Sequence, residues 1–363
     1  MNIDITTTVN VVLYIAYFAS ICGISFLGYT YLLRHNVINL LHKKNETGER
    51  FASQSKPIIG GIIFFGCVII GFIISIFFGG NSSPDWIVLV CCIIGFGMGF
   101  VDDLKNFSPV FKLIFQLMCA IILIATDSHI STSENVFLNA ALTIFWVVGI
   151  MNSINMLDNM DGVTASVSGI ILTGFSAIAL SQGNTSDFIL LISVIAGICV
   201  FLHWNWHPSK MYMGDNGSQL LGIFLVYFSI KYVWNSAGTD IGFNYEQILL
   251  VALVFLVPLT DTATVAFNRF LAGRSPFVGD RFHTTHCLVY QGFSIKQTVI
   301  LLDVITLIGT VASTCIIIFY NSYFSKNIAI VLTIYACVVF FSAYSMNLII
   351  RNKNNLLFKK QNA

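Results

Sequence analysis

Eleven stretches of this 363-residue chain are apolar for about the length that crosses a hydrocarbon layer, and that leaves it few ways to fold. A bilayer core about 30 Å thick takes roughly 20 residues of helix, and a helix satisfies every backbone amide without water. The stretches run near Val9 to Leu33, Ile58 to Phe78, Trp86 to Val101, Pro109 to Ala125, Val136 to Met151, Val163 to Leu180, Phe188 to His203, Gln219 to Trp234, Gln247 to Phe267, Thr298 to Tyr320 and Ile328 to Ile350. The third and fifth are short enough to be tilted or broken. With 56% apolar and 10% charged residues and a mean hydropathy of +0.82, a soluble class is excluded. The expectation is all-α: a polytopic membrane helical bundle of about 11 transmembrane helices, with residues 1–363 forming a single integral membrane domain. No internal repeat or low-complexity tract is visible. The first stretch exceeds a signal-peptide core and has no basic residue before it, so it reads as a retained helix.

Charge fixes the expected orientation. All of the 18 Lys and Arg residues except Lys231 and Lys326 fall on one side of the bundle, which the positive-inside bias makes cytoplasmic. The N-terminus is then outside and the C-terminus inside. The net charge of +1 hides this asymmetry and offers no footprint for nucleic acid. The nine cysteines form no Cys-x-x-Cys pair and read as small core hydrophobes.

Five polar segments between the apolar stretches share the cytoplasmic side. Asp102 and Asp103 close the third stretch. Adjacent carboxylates at a membrane boundary need water, a basic partner or a cation, and a solvated helix end is the plain alternative. In Asn152 to Gly162, Asn152, Asn155 and Asp158 recur every three residues, so a helix would put them on one face, while a turn is the simpler reading of so many Asn and Asp. Tyr212 to Ser218 precedes the eighth stretch; Ser218 suits a helix cap and the helix start offers amides to phosphate oxygens, with Asp215 beside them calling for a bridging metal. Tyr212 suits stacking on a base or an interfacial aromatic belt. Arg274, Arg281, His283 and His286 make phosphate contacts a better reading than zinc, since no Cys, third His or nearby Glu completes a metal set. Lys56 opens the fifth segment, Lys56 to Gly61. Asp261 and Asp303 are acids within apolar stretches, either functional or structural hydrogen-bond partners.

In this order and on this topology, the segments from Lys56 to Gly292 resemble the polyprenyl-phosphate N-acetylhexosamine-1-phosphate transferases, in the branch that uses UDP-GlcNAc and undecaprenyl phosphate. The resemblance implies that Asp102 and Asp103 are the essential aspartate pair and Asp215 the Mg²⁺-binding aspartate. It implies that Asn152, Asn155, Asp158 and Asp161 contact the nucleotide, with Asp158 also at the metal, and that Tyr212 is a platform for uracil. His283 and His286, with Arg274 and Arg281, would hold phosphate, and Lys56 and Lys105 would be basic residues near the site. Two positions depart from the pattern: Asn159 stands where Gly is common and Thr285 where a further His is common.

The implied enzyme is a Mg²⁺-dependent phosphoglycosyl transferase, with Mn²⁺ as a substitute. It would transfer a sugar-1-phosphate, GlcNAc-1-phosphate by default, from a UDP-N-acetylhexosamine to undecaprenyl phosphate with release of UMP. Such a step initiates a cell-envelope glycan such as O-antigen. The expected place is the bacterial inner membrane, multi-pass and in contact with the bilayer, the active site facing the cytoplasm, and the expected assembly a homodimer. The alternatives are the peptidoglycan phospho-MurNAc-pentapeptide transferase reaction and, in a different class, a secondary transporter. Against transport, the polar clusters sit at one interface and no repeat is present.

Overall fold

The computed structural model describes residues 5–35, 42–43, 56–80, 82–236, 245–271, 283–320 and 326–361. Arg274 and Arg281 lie outside them. The architecture is helical: α1 (Ile5–His35), α2 (Gly60–Phe78), α3 (Trp86–Lys105), α4 (Pro109–Ala125), α5 (Val136–Leu157), α6 (Val163–Ser181), α7 (Thr185–Asn205), α8 (Gly214–Ser229), α9 (Tyr245–Val254), α10 (Leu256–Leu271), α11 (Thr284–Tyr290), α12 (Ile295–Tyr320) and α13 (Lys326–Gln361). A short antiparallel ladder pairs β1 (His42–Lys43) with β2 (Lys56–Pro57). Among the described residues eight helices are long and apolar enough to cross a bilayer, or up to nine if a bent pair is one span. α4 is apolar but shorter, and α8 continues into one π-helical turn, Ile230–Trp234.

Local chemistry sets the helix starts. Asp85 accepts from Ile87 N at 2.9 Å at the head of α3, Asn135 from Phe137 N and Leu138 N at α5, and Asn184 from Asp187 N at α7. Pro109 opens α4, where its missing N–H costs nothing. The ninth apolar stretch departs from a single helix. α9 and α10 meet at an angle of 89°. Pro258 explains the break, because it lacks an amide and its ring collides with the carbonyl four residues back, that of Val254 at the end of α9.

α8 is the centre of the bundle, with Gly214 and every residue from Asn216 to Ser229 buried. In lipid the hydrophobic effect does not drive helices together, so close packing must. Gly99 supplies it, because a Cβ there would overlap the Asp215 carbonyl. Gly99→Ala is therefore expected to push α3 from α8 at a cost of about 1–3 kcal/mol, read as a lower melting temperature in detergent. An unchanged melting temperature would contradict this contact. At the far end, Asp187 accepts from Tyr232 Oη at 2.5 Å and pairs with Lys231 Nζ at 2.6 Å, while Tyr227 Oη donates to Asp85 at 2.6 Å. Buried charges are costly unless paired, and these pairs pin the end of α8 to the heads of α7 and α3.

The outer faces are apolar, with Phe137, Phe145, Phe319 and Phe341 among the exposed side chains. All nine cysteines are free, but Cys199, Cys315 and Cys337 are exposed and so are not core residues. Lipid solvates an apolar thiol about as well as a core does.

Candidate active site

Successive residues on a helix point about 100° apart, so Asp102 and Asp103 at the end of α3 face different partners. Asp103 turns to the head of α8, accepting from Asp215 N at 3.1 Å, Asn216 N at 2.9 Å and Asn216 Nδ2 at 2.7 Å. Gly214, at φ +77°, permits this approach. Two sequence expectations are corrected here. Two of the α8 amides suggested for phosphate, those of Asp215 and Asn216, are engaged by Asp103, and Ser218 is no cap, since its hydroxyl accepts from Asn155 Nδ2 at 2.8 Å.

Asp102 accepts from Phe107 N at 2.8 Å through one oxygen and pairs with Lys112 Nζ at 2.8 Å through the other. The same ammonium lies 2.5 Å from Asp215 Oδ2, and Asp215 Oδ1 accepts from Asn155 Nδ2 at 3.1 Å. One cation thus joins carboxylates carried by α3 and α8. In the sequence Lys112 stands out only as a charge inside an apolar helix. Such a charge needs a partner.

The Asn-rich segment works as a hub. Asn152 Nδ2 donates to Gln116 Oε1 at 2.9 Å and to Val148 O at 2.8 Å, and Gln116 Nε2 donates to Gln219 Oε1 at 3.2 Å. Asn155 reaches Asp215 and Ser218. The three-residue spacing does put Asn152 and Asn155 on one face, and that face turns to α4 and α8, where the half-buried amides find partners. Asp158 follows in the next turn and is half-buried. Asp161 accepts from Ser209 N at 3.1 Å and Ser209 Oγ at 2.7 Å, and His207 Nδ1 lies 2.9 Å away. Burial pushes its carboxyl up, but the bonds from Ser209 and His207 and the Lys56 charge outweigh it and hold the group below the usual carboxylate range.

Lys56 Nζ donates to Ser209 Oγ at 2.9 Å and lies 5.1 Å from the centre of the Tyr212 ring, a cation–π distance. Tyr212 N donates to Pro57 O at 2.9 Å, which ties the two segments by backbone. Lys105 is exposed at the end of α3.

Asp261 holds the head of α11, accepting from Thr284 N at 2.6 Å and lying 2.8 Å from His283 Nδ1. His283 and His286 are buried, their ring centres 5.6 Å apart. Asp303 accepts from Ser166 Oγ at 2.6 Å and so bridges α12 to α6. Beside α11 a cavity of ≈ 340 Å³ is lined mainly by apolar residues such as Leu288, Leu302, Ile305 and Met346, with Asp261, Thr284 and Thr285 also on its wall.

For a magnesium ion the donor chemistry fits. Asp102 and Asp215 offer hard carboxylate oxygens already gathered around a cation, and Mg²⁺ is held by one or two carboxylates with water and substrate phosphates completing its shell. Among the described residues no group of three or more His, Cys, Asp or Glu is gathered that could hold a metal alone.

The sequence profile of glycosyl transferase family 4 matches residues 86–233, which carry Asp102, the Asn-rich hub and Asp215. A phospho-N-acetylmuramoyl-pentapeptide-transferase of Staphylococcus haemolyticus (strain JCSC1435) is 31% identical over 234 residues, 58% of this chain and 68% of the relative. The chain belongs to glycosyl transferase family 4. Two further relatives are similar over more of the chain. A Bacillus subtilis (strain 168) protein named "Probable undecaprenyl-phosphate N-acetylglucosaminyl 1-phosphate transferase" is 29% identical over 294 residues, 78% of this chain and 79% of its own. A decaprenyl-phosphate N-acetylglucosaminephosphotransferase of Mycobacterium leprae (strain TN) is 30% identical over 251 residues, 61% and 62% respectively.

Proposed function

We propose that this family 4 protein transfers N-acetylglucosamine-1-phosphate from UDP-N-acetylglucosamine to undecaprenyl phosphate at the cytoplasmic face of a bacterial inner membrane. The observation that carries the reading is the convergence of Asp102 and Asp215 on one cation at one end of the bundle, in a chain similar to the Bacillus subtilis protein. The orientation rests on the Lys and Arg asymmetry. Eleven crossings follow if α4 and α8 are short spans and α9 with α10 is one broken span, which leaves the N-terminus outside and the C-terminus inside.

An oxygen of the acceptor phosphate forms a bond to the sugar-bearing phosphorus of the donor, and the phosphoanhydride bond to UMP breaks. One anhydride replaces another, so positioning the two anions supplies most of the catalysis. Asp102 orients the acceptor and takes its proton where one remains; with a second phosphate pKa of about 6, most of the acceptor is already ionised. Lys112 keeps the two carboxylates together and offsets their charge. Asp261 sets the orientation of the His283 ring toward phosphate. Mg²⁺, or Mn²⁺ in its place, held by Asp215 with Asp102, would neutralise charge on the diphosphate.

Purified protein given undecaprenyl phosphate and a panel of UDP-sugars should release UMP with UDP-N-acetylglucosamine. EDTA should abolish release and Mg²⁺ restore it. UMP release unaffected by EDTA would remove the metal, and no release with any donor would remove the reaction. The second reading, phospho-MurNAc-pentapeptide transfer, is favoured by the Staphylococcus haemolyticus relative, and that donor belongs in the same panel.

A further inference from the structure

The two departures from the motif pattern, Asn159 and Thr285, lie 126 residues apart in sequence and touch. Thr285 Oγ1 donates to Asn159 Oδ1 at 2.6 Å, with Thr285 fully buried and Asn159 8% exposed. Asn159 is not free to reorient, because its Nδ2 donates to Met156 O at 2.8 Å, at the end of α5. Flipping the amide would break both bonds at once. The side chain therefore bridges the end of α5 to the first turn of α11. On one flank of the bridge stand Asp158 and Asp161, and on the other His283 and His286.

Other bonds of α11 run to Asp261 on α10 through His283 and Thr284 and to Asn347 on α13 through Cys287. The Asn159 bond ties α11 to the acidic segment. A glycine at 159 would vacate the space of the carboxamide beside position 285 and leave a buried hydroxyl with a lost partner. An imidazole at 285 would need that same space.

We propose that Asn159 and Thr285 form one positioning joint, which holds the histidine helix in register with the acidic segment across the donor diphosphate. The inference rests on the transferase reading above. Neither residue is catalytic; both act through the groups they hold. Because the two share one space and one hydrogen bond, their substitutions must be strongly non-additive.

The test measures donor and acceptor kinetics for Thr285→Val, Thr285→Ser, Thr285→His, Asn159→Gly and the double variant Asn159→Gly/Thr285→His, with melting temperatures alongside. Thr285→Val keeps the shape and removes the donor, so KM for the UDP-sugar should rise roughly tenfold while KM for the lipid phosphate stays put. Thr285→Ser should stay within about twofold of wild type, since it keeps the hydroxyl. The double variant should recover at least roughly tenfold over the product of the two single losses. Equal kinetics for the Val and Ser variants, donor and acceptor KM rising together, or additive losses in the double variant would each overturn the joint. Active wild-type protein with any of those results sinks the joint alone. Wild-type protein inactive with every donor sinks the reaction reading and the joint with it.

Discussion

Asp215→Asn is expected to reduce UMP release by about 10²–10³-fold while the protein folds and purifies as wild type does. The asparagine keeps an oxygen that can accept from Asn155, and Lys112 keeps Asp102, so the joint between α3, α5 and α8 survives. The lost negative charge is what a magnesium ion and the donor diphosphate would need. Turnover and melting temperature separate the two effects. Near-normal turnover would remove Asp215 from the chemistry, and a collapsed melting temperature would make it a structural residue.

The second large effect belongs to Lys112. Lys112→Met leaves two carboxylates, from α3 and α8, facing one another without the ammonium that separates them. Breaking a pair of this kind costs roughly 3 kcal/mol, at the low end for buried pairs because Lys112 remains 22% exposed. The melting temperature should fall, and turnover should drop about 100-fold as the acidic pair loses its alignment. Added Mg²⁺ should return part of the melting temperature, since the ion can take the place of the missing charge. Wild-type stability and turnover in this variant would show that the two carboxylates do not depend on Lys112.

Much of the bundle is legible in the sequence because lipid leaves so few options. An apolar run of about 20 residues has to be a helix, and each of the eleven runs falls on helical residues. The break at Phe255 was legible too, in Pro258, although a reading by hydropathy alone passes over it. The site was harder. Asp102, Asp215, Asn155 and His283 announce themselves as polar groups among apolar ones, and they do stand at one end of the bundle. Their partners do not. Spacing along one helix says which side chains share a face, but not whether that face meets solvent or another helix. The spacing of Asn152 does not announce its contact with Gln116 on α4. Adjacency sets Asp103 beside Asp102 in the sequence, while the helical twist sends it to α8. Lys112 and the Thr285–Asn159 contact join residues that no local pattern connects.

The most direct test of the central claim follows the phosphorus. UDP-N-acetylglucosamine labelled only in the phosphate next to the sugar is incubated with the protein, Mg²⁺ and undecaprenyl phosphate, and the lipid and aqueous phases are counted separately. Transfer of sugar-1-phosphate puts the label in the lipid and leaves unlabelled UMP in water. Label retained in water as UDP, with the sugar alone in the lipid, would contradict the account.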